Sequence, residues 1–118
     1  MNGKHRVAVA TTDGLTLYEH FGHASRFGIY DIDESTVDFV ETRKVDPPCH
    51  GGHHSESAFD AVIELLDDCE AIVVGKIGPG AADYLMERGI RVFEAPGVLE
   101  VVLGAIASRG LLDVGVER

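Results

Sequence analysis

Five of the six histidines of this 118-residue chain fall in two short clusters, and the second cluster begins with a cysteine. The first cluster is His20 and His23, which flank a Phe-Gly pair. The second reads Cys-His-Gly-Gly-His-His and supplies Cys49, His50, His53 and His54. Neutral imidazoles and thiolates bind zinc, copper, iron and iron–sulfur clusters, whereas magnesium and calcium prefer carboxylate and carbonyl oxygens. These residue types therefore predict a site for a soft or borderline metal.

The spacing of the second cluster differs from the paired Cys-x-x-Cys of a structural zinc site. Its Gly-Gly centre adds backbone freedom, which favours an open or transient site. Each cluster also has a second interpretation. For the loop, it is that these residues bind nothing, or only adventitious nickel or zinc. For the first cluster, it is that Phe21 is a core residue with an exposed histidine on either side.

Three strands are predicted in the first part of the chain, at residues 7–10, 27–32 and 36–45, and the last two form a hairpin. In the third strand, alternation places Val37, Phe39 and Val45 on one face. Residues 46–57 contain Pro and Gly and lack apolar periodicity, so they are predicted to form a loop.

The rest of the chain alternates helices and strands. A helix capped by Ser55 or Ser57 ends near Asp68. It is followed by a buried strand at 71–74, a helix at 81–88, a strand at 90–94 and a helix at 98–109. The order β-β-β-α-β-α-β-α predicts one domain over 1–118, with an α/β fold of three layers (α/β/α) around a five-stranded mixed sheet. This order is similar to that of the ribonuclease H-like fold.

Ligands of open α/β sheets bind at the carboxyl ends of parallel strands. The loop after the first strand, which carries His20, and the turn after the strand at 71–74 both leave from such ends. The two histidine clusters can therefore face one cleft. The glycine-rich turn at 75–80 leads into a helix N-terminus, which favours an anion, although tight turn geometry alone also accounts for its glycines.

The charge balance excludes several classes of partner. Twenty acidic against ten basic residues give a net charge of -10 and a pI near 4.8. Nucleic acids and anionic membranes select clustered Lys and Arg, so neither is an expected partner. No apolar run approaches the roughly 20 residues that span a bilayer, and no signal peptide is recognisable, which predicts a cytoplasmic protein.

Few residues suggest catalysis. No Gly-x-Ser-x-Gly elbow accompanies the serines near the histidines. The strand at 71–74 is followed by Gly75 and Lys76 rather than by the carboxylate that a two-metal nuclease needs. Cys69 lies between Asp68 and Glu70, whose charges oppose thiolate formation, so its role is predicted to be structural.

Several short motifs occur in a defined order. They are His-Phe-Gly-His-Ala-Ser-Arg-Phe-Gly-Ile-Tyr at 20–30, the Gly- and His-rich loop, Ala-Ile-Val-Val-Gly at 71–75, Ile-Gly-Pro-Gly-Ala at 77–81 and Gly-Ile-Arg-Val at 89–92. Together they cover about residues 6–110, and they resemble the dinitrogenase iron-molybdenum cofactor biosynthesis family. The resemblance implies a small ribonuclease H-like domain that carries or protects the iron-molybdenum cofactor or its precursors.

By this resemblance, His20 is the leading cluster ligand, whereas the ligands in the loop are inferred from their chemistry. The residues assigned to the cofactor are His20, His23, Cys49 and His50. Those assigned to metal ligation are His20, Cys49, His53 and His54. The expected cofactor is the iron-molybdenum cofactor or another iron, molybdenum or copper–sulfur cluster, with zinc as the alternative. Arg26 or Lys76 can offset the negative charge of a sulfide cluster.

The expected function is non-catalytic carriage of such a cluster, with a protein client or donor as partner and a monomer or weak homodimer as the oligomeric state. An alternative is a regulatory or interaction domain that a mononuclear zinc or copper ion orders. A metal-dependent hydrolase has the least support, because no motif places a general base.

Overall fold

A five-stranded mixed sheet forms the centre of the protein. The computed structural model describes residues 4–11, 13–18, 20–45 and 56–110. The strands are β1 (His5–Ala10), β2 (Thr16–Leu17), β3 (Arg26–Ile32), β4 (Val37–Lys44), β5 (Ala71–Val74), β6 (Arg91–Glu94) and β7 (Gly97–Val98), and the helices are α1 (Glu56–Leu65), α2 (Pro79–Glu87) and α3 (Leu99–Ser108). The main sheet has the order β4-β3-β1-β5-β6. β3 is antiparallel to both neighbours, whereas β1, β5 and β6 are parallel.

Helices cover both faces of this sheet, as predicted. Successive residues of β1 point to opposite faces, so that Ala8 packs with residues of α1 and α2, and Val9 packs with residues of α3. Every residue of β5 is fully buried, as expected for a parallel strand covered on both sides. The predicted α/β class with three layers is confirmed. No helix in the described ranges is long and apolar enough to span a membrane.

The predicted face assignment of the third strand, now β4, is wrong. Tyr30 pairs with Phe39 but Ile29 pairs with Glu41, so one extra residue, Val40, interrupts the alternation as a β-bulge. Val37 therefore packs on the α3 side and Val45 on the side of α1 and α2. Sequence alternation alone cannot locate such a bulge.

Element ends differ from the predicted ones by a few residues. α2 starts at Pro79 rather than at residue 81, because proline is well suited to the first helical position. Ser57 lies inside α1 and is not its cap, and Ser55 lies outside the described residues. Gly89 and Gly110 follow α2 and α3 with φ values of 88° and 63°, which agrees with the predicted helix ends.

Three short elements were not predicted. β2 and β7 pair as a separate two-stranded sheet, and residues Phe21–His23 form a 3-10 helix. Strands of two residues are too short to show a hydrophobic period, so they leave no pattern in the sequence. They matter because β2 returns the chain toward the main sheet just before the first histidine cluster.

Candidate functional site

The first histidine cluster lies at the carboxyl edge of the sheet, where β1, β5 and β6 end. His20 forms an isolated parallel bridge with Lys76, and the backbone N–H of Phe21 donates to the carbonyl of Lys76 at 2.8 Å. The structure thus brings the loop after β1 against the turn after β5. This is the edge at which the topology predicts ligand binding.

Phe21 anchors the cluster to the core. Its side chain is 1% exposed, and its ring centroid lies 6.4 Å from that of Phe27 and 6.1 Å from that of Phe59. The interpretation of Phe21 as a core residue is therefore correct. The side chain of His20 is half-buried, and His23 ends the 3-10 helix, with a side chain outside the described part of the structure.

The ring of His20 caps this 3-10 helix. Its Nδ1 accepts a hydrogen bond from the backbone N–H of Gly22 at 3.1 Å. A backbone amide can only donate, so Nδ1 is unprotonated and the proton of the neutral ring lies on Nε2. A metal at Nδ1 would replace the Gly22 hydrogen bond, and a metal at Nε2 would displace the proton. A metal at Nδ1 would therefore compete with the hydrogen bond that caps the 3-10 helix, whereas a metal at Nε2 would leave it in place.

Gly75 allows the chain before His20 to cross close to the end of β5. A Cβ at Gly75 would lie 2.5 Å from the carbonyl oxygen of Leu17 and 2.9 Å from the Cα of Tyr18. Both contacts are with backbone, which cannot move aside as a flexible side chain can. By contrast, a Cβ at Gly78 or Gly80 would meet no atom within 4 Å. Of these three glycines, only Gly75 is required by a close contact.

The turn after β5 already binds a carboxylate of the protein itself. Oε2 of Glu94, at the end of β6, accepts a hydrogen bond from the backbone N–H of Ile77 at 3.0 Å. One backbone amide of this turn is thus occupied by Glu94. An anion from solution would compete with Glu94 for this amide.

The second cluster lies outside the described residues, since Cys49, His50, His53 and His54 fall within 46–55. The described residues on both sides of this segment contact neighbours of the first cluster. The backbone N–H of Val45 donates to the carbonyl of Ser25 at 2.9 Å. After the segment, α1 places Phe59 against Phe21. Val45 and Phe59, which flank the segment, thus both contact residues 21–25.

Basic side chains gather at the same edge. Arg26 lies directly opposite Lys44, and both line a cavity of about 520 Å³ together with Ser25 and Val45. Neither has a carboxylate partner among the described residues.

Elsewhere, Arg6 and Arg43 both bind Asp68, at 3.0 and 2.7 Å, and hold the pKa of that carboxyl well below its usual range. The part of the chain that the structure describes holds no preassembled group of three or more potential metal ligands of the His, Cys, Asp or Glu types.

Comparison with known proteins identifies the family. The family model described as dinitrogenase iron-molybdenum cofactor matches residues 3–108. The chain belongs to this family. It is 37% identical over 108 residues to the FeMo cofactor biosynthesis protein NifB of Sinorhizobium fredii, and 44% identical over 84 residues to NifB of Herbaspirillum seropedicae. These alignments cover 90% and 71% of this chain but only 22% and 16% of those relatives. The chain thus spans about a fifth of their length.

Solved structures share the fold. The protein PH0822 superposes with a TM-score of 0.65 at 23% identity, over 88% of this chain and 90% of that one. A Methanocaldococcus jannaschii protein described as a candidate dinitrogenase superposes with a TM-score of 0.55 at 16% identity, over 93% of this chain and 92% of that one. The resemblance drawn from the sequence motifs is confirmed at the level of the family, whose members are related to iron-molybdenum cofactor biosynthesis.

Cys69 is a buried residue of the hydrophobic core. It is 6% exposed and packs in the core beneath α1, and burial raises the pKa of its thiol to about 12, with the adjacent Asp68 as a smaller cause. The sequence points to the neighbouring carboxylates as the cause of the raised pKa, whereas desolvation of the thiol is the larger cause. The position agrees with the predicted structural role.

This environment predicts that the thiol of Cys69 reacts slowly with disulfide reagents. In a Cys49→Ser variant, Cys69 is the sole cysteine, and at about pH 8 a pKa near 12 leaves on the order of a thousandfold less thiolate than in an ordinary thiol. We expect a disulfide reagent to label the folded variant very slowly and to label it rapidly in guanidinium chloride. Rapid stoichiometric labelling of the folded variant would contradict the burial of Cys69.

Proposed function

We propose that this domain binds and carries an iron-molybdenum cofactor or a related metal–sulfur cluster, for cofactor biosynthesis or delivery, and that it catalyses no reaction on its cargo. Its family supports the general role. The observation that carries the proposal is the position of the two ends of segment 46–55. The backbone of Val45 is hydrogen-bonded to Ser25, and Phe59 packs on Phe21, so the described residues that flank the Cys- and His-rich segment contact the chain just after His20.

The length of the segment is sufficient for joint ligation. Extended chain covers roughly 3.3–3.6 Å per residue, so each half of a ten-residue segment reaches about 16 Å from its fixed end. This length of chain is the basis for proposing that Cys49, His50, His53 and His54 share a cluster with His20 and His23. Within this set, Cys49 is the sulfur ligand, because Cys69 is buried with a raised pKa.

Electrostatics at the carboxyl edge favour an anionic cargo. Sulfide clusters are negatively charged, and a protein with a net charge of -10 repels them at long range. Arg26, Lys44 and Lys76 lie at this edge, and none of them has an ion-pair partner within the described residues. They supply local positive charge where the cluster would bind.

A site with few ligands suits transfer to a client protein. In the described state, His20 caps the 3-10 helix through Nδ1, so release of a cluster bound at Nδ1 would return the ring to a satisfied hydrogen bond with Gly22. The cost of losing a ligand is thereby reduced. A permanent structural site would gain nothing from such a competing partner.

The test begins with metal and sulfide analysis of the protein purified without oxygen from its own host. Iron, molybdenum or copper together with sulfide and visible absorption supports a cluster carrier. Zinc or copper alone, without sulfide, supports the alternative of an interaction domain ordered by a mononuclear ion. Absence of any bound cluster after incubation with isolated iron-molybdenum cofactor contradicts cluster carriage and favours the interaction domain.

A variant titration then tests the ligands. In an anaerobic titration with isolated iron-molybdenum cofactor, we expect the Cys49→Ser, His20→Ala double variant to bind at least about tenfold more weakly, since even changes to supporting residues of metal sites cost that much. The matched control is His5→Ala, which removes a histidine bonded to Glu70 at the start of β1, at the opposite edge of the sheet. Unchanged affinity in the double variant, or an equal loss in the control, rejects these ligands.

A further inference from the structure

A second cavity, of about 240 Å³, lies on the face of β3 and β4 that is turned toward the α3 side of the sheet. Its wall includes Arg26, Gly28 and Tyr30 from β3 and Phe39 and Thr42 from β4, with Asp13 from the turn after β1. We propose that this cavity binds a small organic carboxylate with a flat apolar body. The proposal does not rest on the cluster function, because Arg26 is the only residue that it shares with that site.

Tyr30 provides the first argument. Its side chain is 8% exposed and belongs to the core under α3, yet its hydroxyl has no hydrogen-bond partner within the described residues. No described side-chain oxygen is both fully buried and unpartnered, so this hydroxyl opens onto the cavity that Tyr30 lines. Burial raises the pKa of Tyr30, so the group stays a neutral donor. The hydroxyl of an otherwise buried side chain thus faces the cavity and can donate a hydrogen bond to a ligand there.

Gly28 shapes the space between the polar and aromatic ends. A Cβ at Gly28 would lie 3.0 Å from Cε1 and 3.7 Å from the hydroxyl oxygen of Tyr30, so the ring lies along the strand over the glycine. Thr42 is directly opposite Gly28. The hydroxyls of Tyr30 and Thr42 and the side chain of Arg26, two residues before Gly28 on the same face, therefore line one small volume.

Arg26 can only donate hydrogen bonds, and the hydroxyls of Tyr30 and Thr42 can donate beside it. Arg26 has no carboxylate partner among the described residues, and it is the cation of the wall. The carboxylate of Asp13 is already satisfied, because Oδ1 accepts from the backbone N–H groups of Leu15 and Thr16 at 2.8 and 2.9 Å, and Oδ2 accepts from the Thr16 hydroxyl at 3.1 Å. The ligand must therefore supply acceptors and negative charge, which a carboxylate does in the geometry that a guanidinium prefers.

Phe39 and the cavity volume define the rest of the ligand. The ring of Phe39 is 59% exposed and meets Tyr30 edge to face at 5.4 Å, which leaves an apolar surface next to the donors. A volume of 240 Å³ corresponds to roughly eight water molecules at about 30 Å³ each. Benzoate, a carboxylate on one flat ring, is small enough to fit this volume.

The test is an NMR titration of the isotope-labelled full chain with benzoate. We expect saturable shifts of the amides of Gly28 and Thr42, and binding of the neutral isostere benzamide at least about tenfold weaker. Arg26→Gln should weaken benzoate binding by about tenfold or more, and Tyr30→Phe, which keeps the ring and the core, by about fivefold. Because Arg26 also lines the larger cavity, Tyr30→Phe is the variant that isolates this site.

The matched control is Lys76→Gln, which removes the same charge from a residue that does not line the cavity. Unchanged benzoate affinity in this control supports the site. Equal loss in Lys76→Gln and Arg26→Gln, equal binding of benzamide, or shifts that map away from β3 and β4 would overturn it. So would the absence of saturable benzoate binding to the wild-type chain.

Discussion

Replacing Phe21 with alanine is expected to lower the free energy of unfolding by about 3–5 kcal/mol, the usual cost of removing a buried aromatic ring. Phe21 is 1% exposed and packs between Phe27 of β3 and Phe59 of α1. Its removal leaves a cavity where the 3-10 helix, the sheet and α1 meet. Since domains of this kind are stable by about 5–15 kcal/mol, a large part of the total would be lost.

Chemical denaturation measures this change, with two controls. Phe21→Leu keeps most of the volume and should cost about 1–2 kcal/mol. Phe39→Ala removes the same ring from a position 59% exposed and should cost about 1 kcal/mol or less. If Phe21→Ala cost no more than Phe39→Ala, the first histidine cluster would not be anchored in the core as described.

The anchoring of Phe21 changes how the first cluster is understood. The sequence leaves two interpretations open, a core phenylalanine with incidental histidines or a pair of metal ligands. The structure makes them compatible, because the buried ring holds His20 at the carboxyl edge while His20 itself is only half-buried. A rigid anchor beside a candidate ligand limits the conformational entropy lost on binding.

Local patterns predict most of the fold. The unbroken apolar run of β5 indicates a strand covered on both faces, and Gly89 and Gly110 mark helix ends, because each signal depends only on neighbouring residues. The bulge at Val40 is different, since it depends on the register between β3 and β4. No residue type in β4 marks it, so the face of Val45 was assigned incorrectly.

The candidate site also combines features that the sequence predicts with features that depend on contacts between distant residues. The position of His20 follows from topology, since loops after parallel strands leave from one edge. The pairing of Arg26 with Lys44 depends on hairpin register and was not predicted, although the two basic residues are visible in the sequence. The close contact at Gly75 joins residues far apart in the chain, so no local signal reveals it. The roles of Cys49, His50, His53 and His54 stay predictions, because they lie outside the described residues.

Gly75→Ala should disturb both the fold and the candidate site. The new methyl group would lie 2.5 Å from the Leu17 carbonyl oxygen and 2.9 Å from the Tyr18 Cα, so the two backbone segments must separate. Overpacking of this kind costs about 1–3 kcal/mol. Because Tyr18 precedes His20 by two residues, the separation should also move His20 from its bridge with Lys76.

Gly80→Ala is the matched control, because a Cβ there meets nothing within 4 Å and the residue lies in α2. Alanine in a helix is favoured over glycine by about 1 kcal/mol, so this variant should be more stable, opposite in sign to Gly75→Ala. Denaturation gives the two stabilities, and the NMR shifts of the His20 ring show whether it moves. A stable Gly75→Ala with unchanged His20 shifts would show that β2 does not approach β5 closely. A displaced His20 ring together with weaker cluster binding would instead link this one contact to the function, because the variant leaves every proposed ligand in place.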